Sequence, residues 1–455
     1  MNTMRIHVFP APREGGQQRA AARAGQSAGP FAALTNGQYQ RFSVAAILSF
    51  TALAIETLAR GWILQLMTGS PLLVSLVPAL LMLPMLFLSV PGGELADRFS
   101  RKAITLGYEL VAVATYVAMA ALVLTGNLQA WHVLAATAIQ GIGAALAAPA
   151  RQTLITDLVA TRHQRGAIGL SMMSVNLAAI AGPALGGFLI ARYGMSHAFL
   201  AALILSLPAL PLYFSLKPAA PARTAAHRGG MFANLRDGLK YISGDASLRW
   251  LLLACVVMIV TINSWGALFP AFAEDVLGVG AAGLGVISTA VGVGSLAATL
   301  VLVVVAGRMP DKTVEVISGF SFAALALGIA VSTIYPVTTV LVALAAFAAT
   351  AFFQTNLTAV QLHAPDEYRG RVISVRFVAW GLQPVGLLAL GGLAEVIGPQ
   401  WALGAFAVAG AAAFLALVLI LRPHHVRNLE AKARGRIHMP HFHRPHGAPT
   451  GGSDD

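Results

Sequence analysis

Twelve stretches of the chain stay apolar over a membrane-spanning length, with short polar breaks between them. They fall at about 42–66, 71–92, 103–125, 129–150, 167–191 and 196–216, then at 248–272, 281–306, 313–334, 337–360, 371–396 and 401–421. A bilayer-crossing helix needs about 20 largely apolar residues, so each run predicts one spanning helix, numbered 1 to 12 in chain order. The break between the two sets, 217–247, begins as Pro/Ala linker. Its later part, Met231-Phe232-x-x-Leu235-x-x-x-Leu239-x-x-Ile242, has helical apolar spacing and predicts an amphipathic helix on the membrane surface. The expected layout is a disordered tail (1–40), a six-helix bundle (41–216), the linker with its helix (217–247), a second six-helix bundle (248–422) and a disordered His-rich tail (423–455).

The two sets repeat one another. At an offset of 204, Arg165-Gly166, Gly182, Gly187 and Gly194 match Arg369-Gly370, Gly386, Gly391 and Gly398, so helix 5 corresponds to helix 11. Two such repeats with a ligand site between them near the midplane are a transporter architecture. The expected fold class is therefore an all-α polytopic membrane protein: twelve helices in two pseudo-symmetric six-helix bundles.

Composition agrees with that layout. The chain is 455 residues, 57% hydrophobic and 11% charged, with mean hydropathy +0.73; a soluble domain carries roughly 25% charged residues. With a single cysteine, Cys255, there is no intrachain disulfide or thiolate pair for zinc. The net charge of +12 is topological rather than a nucleic-acid surface. With the N-terminus placed inside, 28 of the 30 Lys and Arg fall in the tails, the linker and the loops of one face, leaving only Arg60 and Arg192 elsewhere. The positive-inside rule then puts both termini in the cytoplasm. No signal peptide is expected, and no G-x-x-x-x-G-K-[ST] sequence supports ATP drive. No nucleophile–base constellation or cofactor motif suggests an enzyme. Of the six histidines beyond residue 423, His438, His441, His443 and His446 sit among Pro and Gly without carboxylate or thiol between them; His441-x-His443 is a spacing that could bind zinc or nickel, but the composition favours a disordered tail with no metal site.

The break between helices 2 and 3 reads Gly92-Gly93-Glu94-Leu95-Ala96-Asp97-Arg98-Phe99-Ser100-Arg101-Lys102, a G-x-x-x-D-R-x-x-R-K pattern. With Trp62–Pro71, Pro149–Thr153 and the G-P-x-x-G-G element of helix 5, it resembles the major facilitator superfamily over about 41–421. Within that superfamily it is similar to the drug:proton antiporter branch with enterobactin-exporter-like and macrolide-efflux-like proteins, of transmembrane secretion effector type. The resemblance makes Gly93, Asp97, Arg98, Arg101 and Lys102 a conformational latch, with a partner at the start of helix 11 around Arg369–Arg376, and Gly93 a point of close helix approach. It makes Gly182, Pro183, Gly186 and Gly187 an exporter element that packs helix 5 tightly. One departure stands out: the helix-4 motif R-x-x-Q-G keeps Gln140-Gly141 but has Thr137 in place of arginine.

Charged side chains inside spanning helices cost about 2.5–3.5 kcal/mol at the bilayer centre and mark functional sites. Glu56 and Arg60, one turn apart in helix 1, are read as a protonatable carboxyl in the cavity and its tuning cation, or as a self-neutralising i,i+4 pair. Glu109 in helix 3 is expected to pair with Arg151 or Arg101, or else to carry protons. The family's cavity is lined by helices 1, 4, 7 and 10. By that implication Gln140, Asn263, Gln354 and Asn356 are cavity candidates, with Trp265, Phe269, Phe352 and Phe353 as an apolar wall. Asn176 and Gln383 are further polar positions within apolar helices.

The resulting expectation is a proton-coupled exporter in the bacterial inner membrane. Its cargo is a small amphipathic or hydrophobic molecule (a drug, siderophore or metabolite), and its other partners are protons and membrane lipid. It is expected to be a monomer without cofactor or nucleic-acid partner. A lysophospholipid mover is the alternative within transport, and a membrane sensor or assembly protein on a transporter scaffold the alternative outside it.

Overall fold

The computed structural model describes residues 32–218, 231–261, 264–305 and 308–433, with the side chain of Asp97 among those outside the description. Among the described residues are twelve helices long and apolar enough to cross a membrane, and no strand. In chain order they are α1 (Gly37–Thr68), α2 (Pro71–Arg98), α3 (Arg101–Leu124), α4 (Ala130–Leu158), α5 (Gln164–Tyr193) and α6 (Met195–Phe214). The linker helix Met231–Gly244 follows, then α7 (Ala246–Val276), α8 (Gly280–Val305), α9 (Asp311–Val331), α10 (Tyr335–His363), α11 (Tyr368–Ile397) and α12 (Pro399–Ala433). The fold is that of two six-helix bundles, as the hydrophobic pattern predicts.

The ends differ from the expected ones for local reasons. Helix α1 starts at Gly37 because Asn36 caps it, its Oδ1 accepting from the Gln38 backbone amide at 2.8 Å while its Nδ2 donates to Leu158 O at 2.8 Å. Tyr39 is buried and donates to Ala167 O at 2.7 Å. Serines placed in the polar breaks start α2 and α3: Ser70 and Ser100 accept from the backbone three residues on. Helix α12 continues to Ala433, past the boundary expected at 422. The linker helix docks on the start of α11: Tyr241 stacks on Tyr368 with centroids 4.5 Å apart, and Asp237 pairs with Arg371 at 3.4 Å.

The repeated glycines make equivalent contacts in the two halves. Gly194 ends α5 with φ 92° and Gly398 ends α11 with φ 86°, a backbone region that glycine occupies without a Cβ penalty. Gly182 lies against Ala54 and Thr51 of α1, and Gly386 against Val260 of α7. A Cβ on Gly187 would stand 2.6 Å from Gly285 Cα in α8, and one on Gly391 2.6 Å from Ser75 Cβ in α2. The pairs α5–α1 and α11–α7 thus hold each bundle, while α5–α8 and α11–α2 join the two bundles.

Candidate functional site

The joins between bundles lie toward the end away from the termini. There Gln65 Nε2 donates to Asp275 at 2.9 Å, and Glu395 accepts from Ser70 Oγ at 2.8 Å and the Leu72 amide at 3.2 Å. Asp275 sits in a π-helical turn, Phe272–Val276, that ends α7. Near mid-membrane, Thr289 of α8 donates to Ile180 O of α5 at 3.3 Å. Small residues are what let these backbones approach without a hydrophobic driving force in lipid. At the opposite end Phe87 and Phe377 are exposed.

Between the bundles lies a cavity of about 500 Å³, lined by α1, α2, α5, α7, α8 and α11. Its walls are apolar, including Phe50, Leu53, Val77, Val175, Phe269 and Leu387, with polar side chains from Thr57, Ser288 and Gln383. None of these described lining residues is charged. A second cavity of about 340 Å³ lies within the second bundle, lined by Trp265, Ser295, Thr350, Phe353, Gln354, Arg376 and Trp380 among others.

The expected cavity set is divided by this geometry. Phe269 lines the central cavity, whereas Trp265, Phe353 and Gln354 line the second one. Gln140 and Asn356 are fully buried in polar clusters and line neither; Phe352 is packed against Phe414. Asn263 lies outside the described residues. The expectation that α4 and α10 wall the central cavity is corrected: α2, α5, α8 and α11 do so beside α1 and α7. That expectation rests on the resemblance, and hydrophobic spacing offers no check on it because the two faces of an all-apolar helix look alike in sequence.

Glu56 faces away from the central cavity, contrary to the expected position. Both Glu56 and Arg60 are fully buried and ion-paired one turn apart. Arg60 Nη1 donates to Thr137 Oγ1 and to Gln140 Oε1, each at 3.2 Å. Gln140 Nε2 in turn donates to Thr115 Oγ1 at 2.6 Å. The neighbouring Thr57 and Gly61 line the cavity instead. Arg60 therefore brings a guanidinium from α1 to the α4 position where Thr137 stands in place of arginine. Removing a charged pair from water is costly unless its remaining atoms are hydrogen-bonded; Thr137 and Gln140 accept from Arg60 Nη1, while Glu56 Oε2 and Arg60 Nε have no hydrogen-bond partner among the described residues.

Glu109 keeps part of its expected partnership, the Arg151 charge acting on it without an ion-pair contact. It accepts from Ser49 Oγ at 2.8 Å. Arg101 instead makes a two-bond pair with Asp157, both at 2.7 Å. Arg151 donates to Tyr213 Oη at 2.6 Å and lies 4.6 Å over the Phe50 ring. No described ion pair joins Glu109 to either arginine. The latch cations that are described turn to their own bundle: Arg101 to the end of α4, and Lys102 to Phe214 at the end of α6, 4.9 Å from the ring centroid. Arg98 is exposed. Around the expected partner segment, Arg371 meets the linker helix and Arg376 meets Asn356 at 3.2 Å. Gly93 has open space at its Cβ position, so it is not the close approach; Gly92 is, its Cβ position lying 2.9 Å from Leu146 O of α4. Sequence reasoning passed over Glu315, a fully buried carboxyl in α9. Its lone acid within an otherwise apolar run was the available signal.

Two bundles of six spanning helices closed over an apolar cavity at one end have the architecture of the major facilitator fold. The chain belongs to the transmembrane secretion effector family of the major facilitator superfamily, whose model matches residues 28–447. The multidrug efflux pump Tap of Mycobacterium tuberculosis is 26% identical over 363 residues, 76% of this chain and 84% of Tap. The staphyloferrin A transporter of Staphylococcus aureus is 24% identical, over 78% of this chain and 89% of that protein. The MFS-type transporter YfiS of Bacillus subtilis is 31% identical over 196 residues, and this match spans only 46% of YfiS and 42% of the chain. Among solved structures, an inward-facing bacterial homolog of the human lysosomal transporter Spinster aligns with a TM-score of 0.67 at 14% identity, over 85% of this chain and 96% of that one. A D-xylose–proton symporter aligns with a TM-score of 0.63 at 15% identity, over 83% and 96%. The chain is thus a secondary-active transporter of a small molecule, a multi-pass inner-membrane protein and not an enzyme.

Proposed function

We propose that the protein is a proton-coupled exporter of an uncharged or weakly polar amphipathic molecule. The central cavity carries this reading: about 500 Å³, apolar on most of its surface, with polar side chains only from Thr57, Ser288 and Gln383. That size suits a drug-like ligand, and a few placed polar groups suffice to orient one. A siderophore presents several anionic oxygens and a lysophospholipid brings a phosphate; no described cation lines this cavity to meet either. The likeness to Tap, a multidrug efflux pump, supports a drug as cargo, and the sequence motifs support the drug:proton antiporter branch as the chain's place in the superfamily.

The coupling group in this reading is Glu56. A proton on Glu56 breaks the ion pair with Arg60, freeing the guanidinium to lean on Thr137 and Gln140, so that protonation changes how α1 is fastened to α4. Helix α1 also forms one wall of the cavity, and this is how the charge state reaches the cargo. The Lys/Arg bias supports cytoplasmic termini and an open end facing the cytoplasm, with the loop after α2 as latch, membrane lipid around the helices and a monomer as the working unit. The test is untargeted metabolite profiling of a deletion strain against its parent. An uncharged amphipathic compound retained in the deletion cells supports the reading; retention of an anionic chelator alone contradicts it.

A further inference from the structure

Glu315 takes no part in the Glu56 cycle, yet it is as deeply buried. It sits one turn into α9 and accepts from Trp250 Nε1 of α7 at 3.3 Å and from Asn356 Nδ2 of α10 at 3.3 Å. The same Asn356 nitrogen donates to Leu251 O at 2.9 Å, and Asn356 Oδ1 accepts from Arg376 Nε of α11 at 3.2 Å. Arg376 Nη2 donates to Phe353 O at 3.2 Å, and Arg376 lines the 340 Å³ cavity with Trp265, Phe353 and Trp380. An unbroken run of side-chain hydrogen bonds therefore joins a buried carboxyl to a cation on a cavity wall.

Other titratable groups frame this carboxyl without replacing its hydrogen bonds. Asp311 and Lys312 lie on its own helix, with the Lys312 ammonium 5.2 Å from the Trp250 ring centroid. Cys255 faces from α7, buried in the same region as Arg376. Helix α10 presents Asn356, α11 presents Arg376, and α12 from 399 to 420 has no charged residue. An asparagine is suited to connect the two ends. It donates to the carboxyl with one end of its amide and accepts from the guanidinium with the other. Hydrogen bonds to an ionised partner are roughly twice as strong as neutral ones. Adding a proton to Glu315 therefore weakens its hold on Asn356, and through it changes how firmly Arg376 is held at the cavity wall.

We propose that Glu315 is a second proton-binding site, in the second bundle, whose charge state is passed through Asn356 to Arg376 at the wall of the 340 Å³ cavity. The test uses the full-length protein in lipid nanodiscs and the apolar reagent dicyclohexylcarbodiimide. The reagent adds to protonated carboxyls in membrane interiors, and mass spectrometry locates the adduct. Glu315 is expected to label, with the labelled fraction falling by about tenfold per pH unit once the carboxyl ionises. Removing a cation disfavours the ionised carboxyl, so Arg376→Leu is expected to keep Glu315 labelled to higher pH. In an Asn356→Ala background the same Arg376 change should add little, the non-additivity expected of residues in one network. No labelling at any pH, or labelling that ignores pH, overturns the site. An unaltered profile in Arg376→Leu, or full additivity with Asn356→Ala, overturns the relay. Glu56 labels on a separate peptide, so the two proton sites are judged independently.

Discussion

The α5–α8 crossing offers a direct way to bias the transporter between its open ends. In Gly285→Ala the new Cβ would stand 2.7 Å from Pro183 O and 2.8 Å from Gly187 Cα, both on α5. Carbon atoms rest at about 3.5 Å or more, so the two helices must part by about 0.7 Å at the crossing. Both close neighbours are backbone, so no rotamer change relieves the clash. Overpacking of this kind costs about 1–3 kcal/mol. The crossing lies toward the end away from the termini, so the cost falls on the state closed at that end and spares the state in which it parts. A coupling of about 1–3 kcal/mol moves a population ratio about 5–150-fold. Pulsed electron-spin distances report the shift, with labels on Phe99→Cys and Leu362→Cys at the termini end, both exposed, in a Cys255→Ala background. A second pair, Leu124→Cys and Val331→Cys, reports the other end and is also exposed. Gly285→Ala is expected to shorten the first distance and lengthen the second. Unchanged distributions in a folded, membrane-inserted variant would refute the claim that this crossing sets the balance.

Four further outcomes rest on the buried pair and the latch. Glu56→Gln should abolish proton-dependent efflux while the protein still inserts, and full gradient-driven efflux from that variant would remove Glu56 from the coupling role. Arg60→Met leaves Glu56 buried without its cation, a loss of about 3–5 kcal/mol readable as a fall in thermal stability. The double variant Glu56→Gln/Arg60→Met should recover most of that loss, and a double variant as unstable as the single one would contradict the pairing account. Asp97→Asn should impair transport without affecting membrane insertion; normal efflux would discard the latch role of that loop.

Much of the fold was legible because lipid imposes a simple rule: runs of apolar residues long enough to cross become helices. The offset of 204 was informative for the same physical reason in each half, since Gly194 and Gly398 hold the same turn and Gly187 and Gly391 the same kind of inter-bundle contact. Facing was not legible. Glu56 and Thr57 are adjacent, yet the first points into the polar cluster with Thr137 and Gln140 while the second lines the cavity. In a helix apolar all round, no polar stripe marks which side meets the cargo. The latch glycine was misplaced by one residue, Gly92 making the contact assigned to Gly93, because a motif label carries no rotational information about its helix. Glu315 was missed for a different reason. Its partners Trp250, Asn356 and Arg376 come from three other helices, and no local spacing announces such a meeting.

The central claim joins an uncharged cargo to a proton gradient, and one reconstitution tests both halves. Purified full-length protein in liposomes is given a pH gradient and offered uncharged amphipathic compounds beside an anionic chelator, with protein-free liposomes as the leak control. Gradient-driven movement of the uncharged compounds, lost in Glu56→Gln, is the predicted result. Movement of the chelator in preference, or flux indifferent to the gradient, would contradict it.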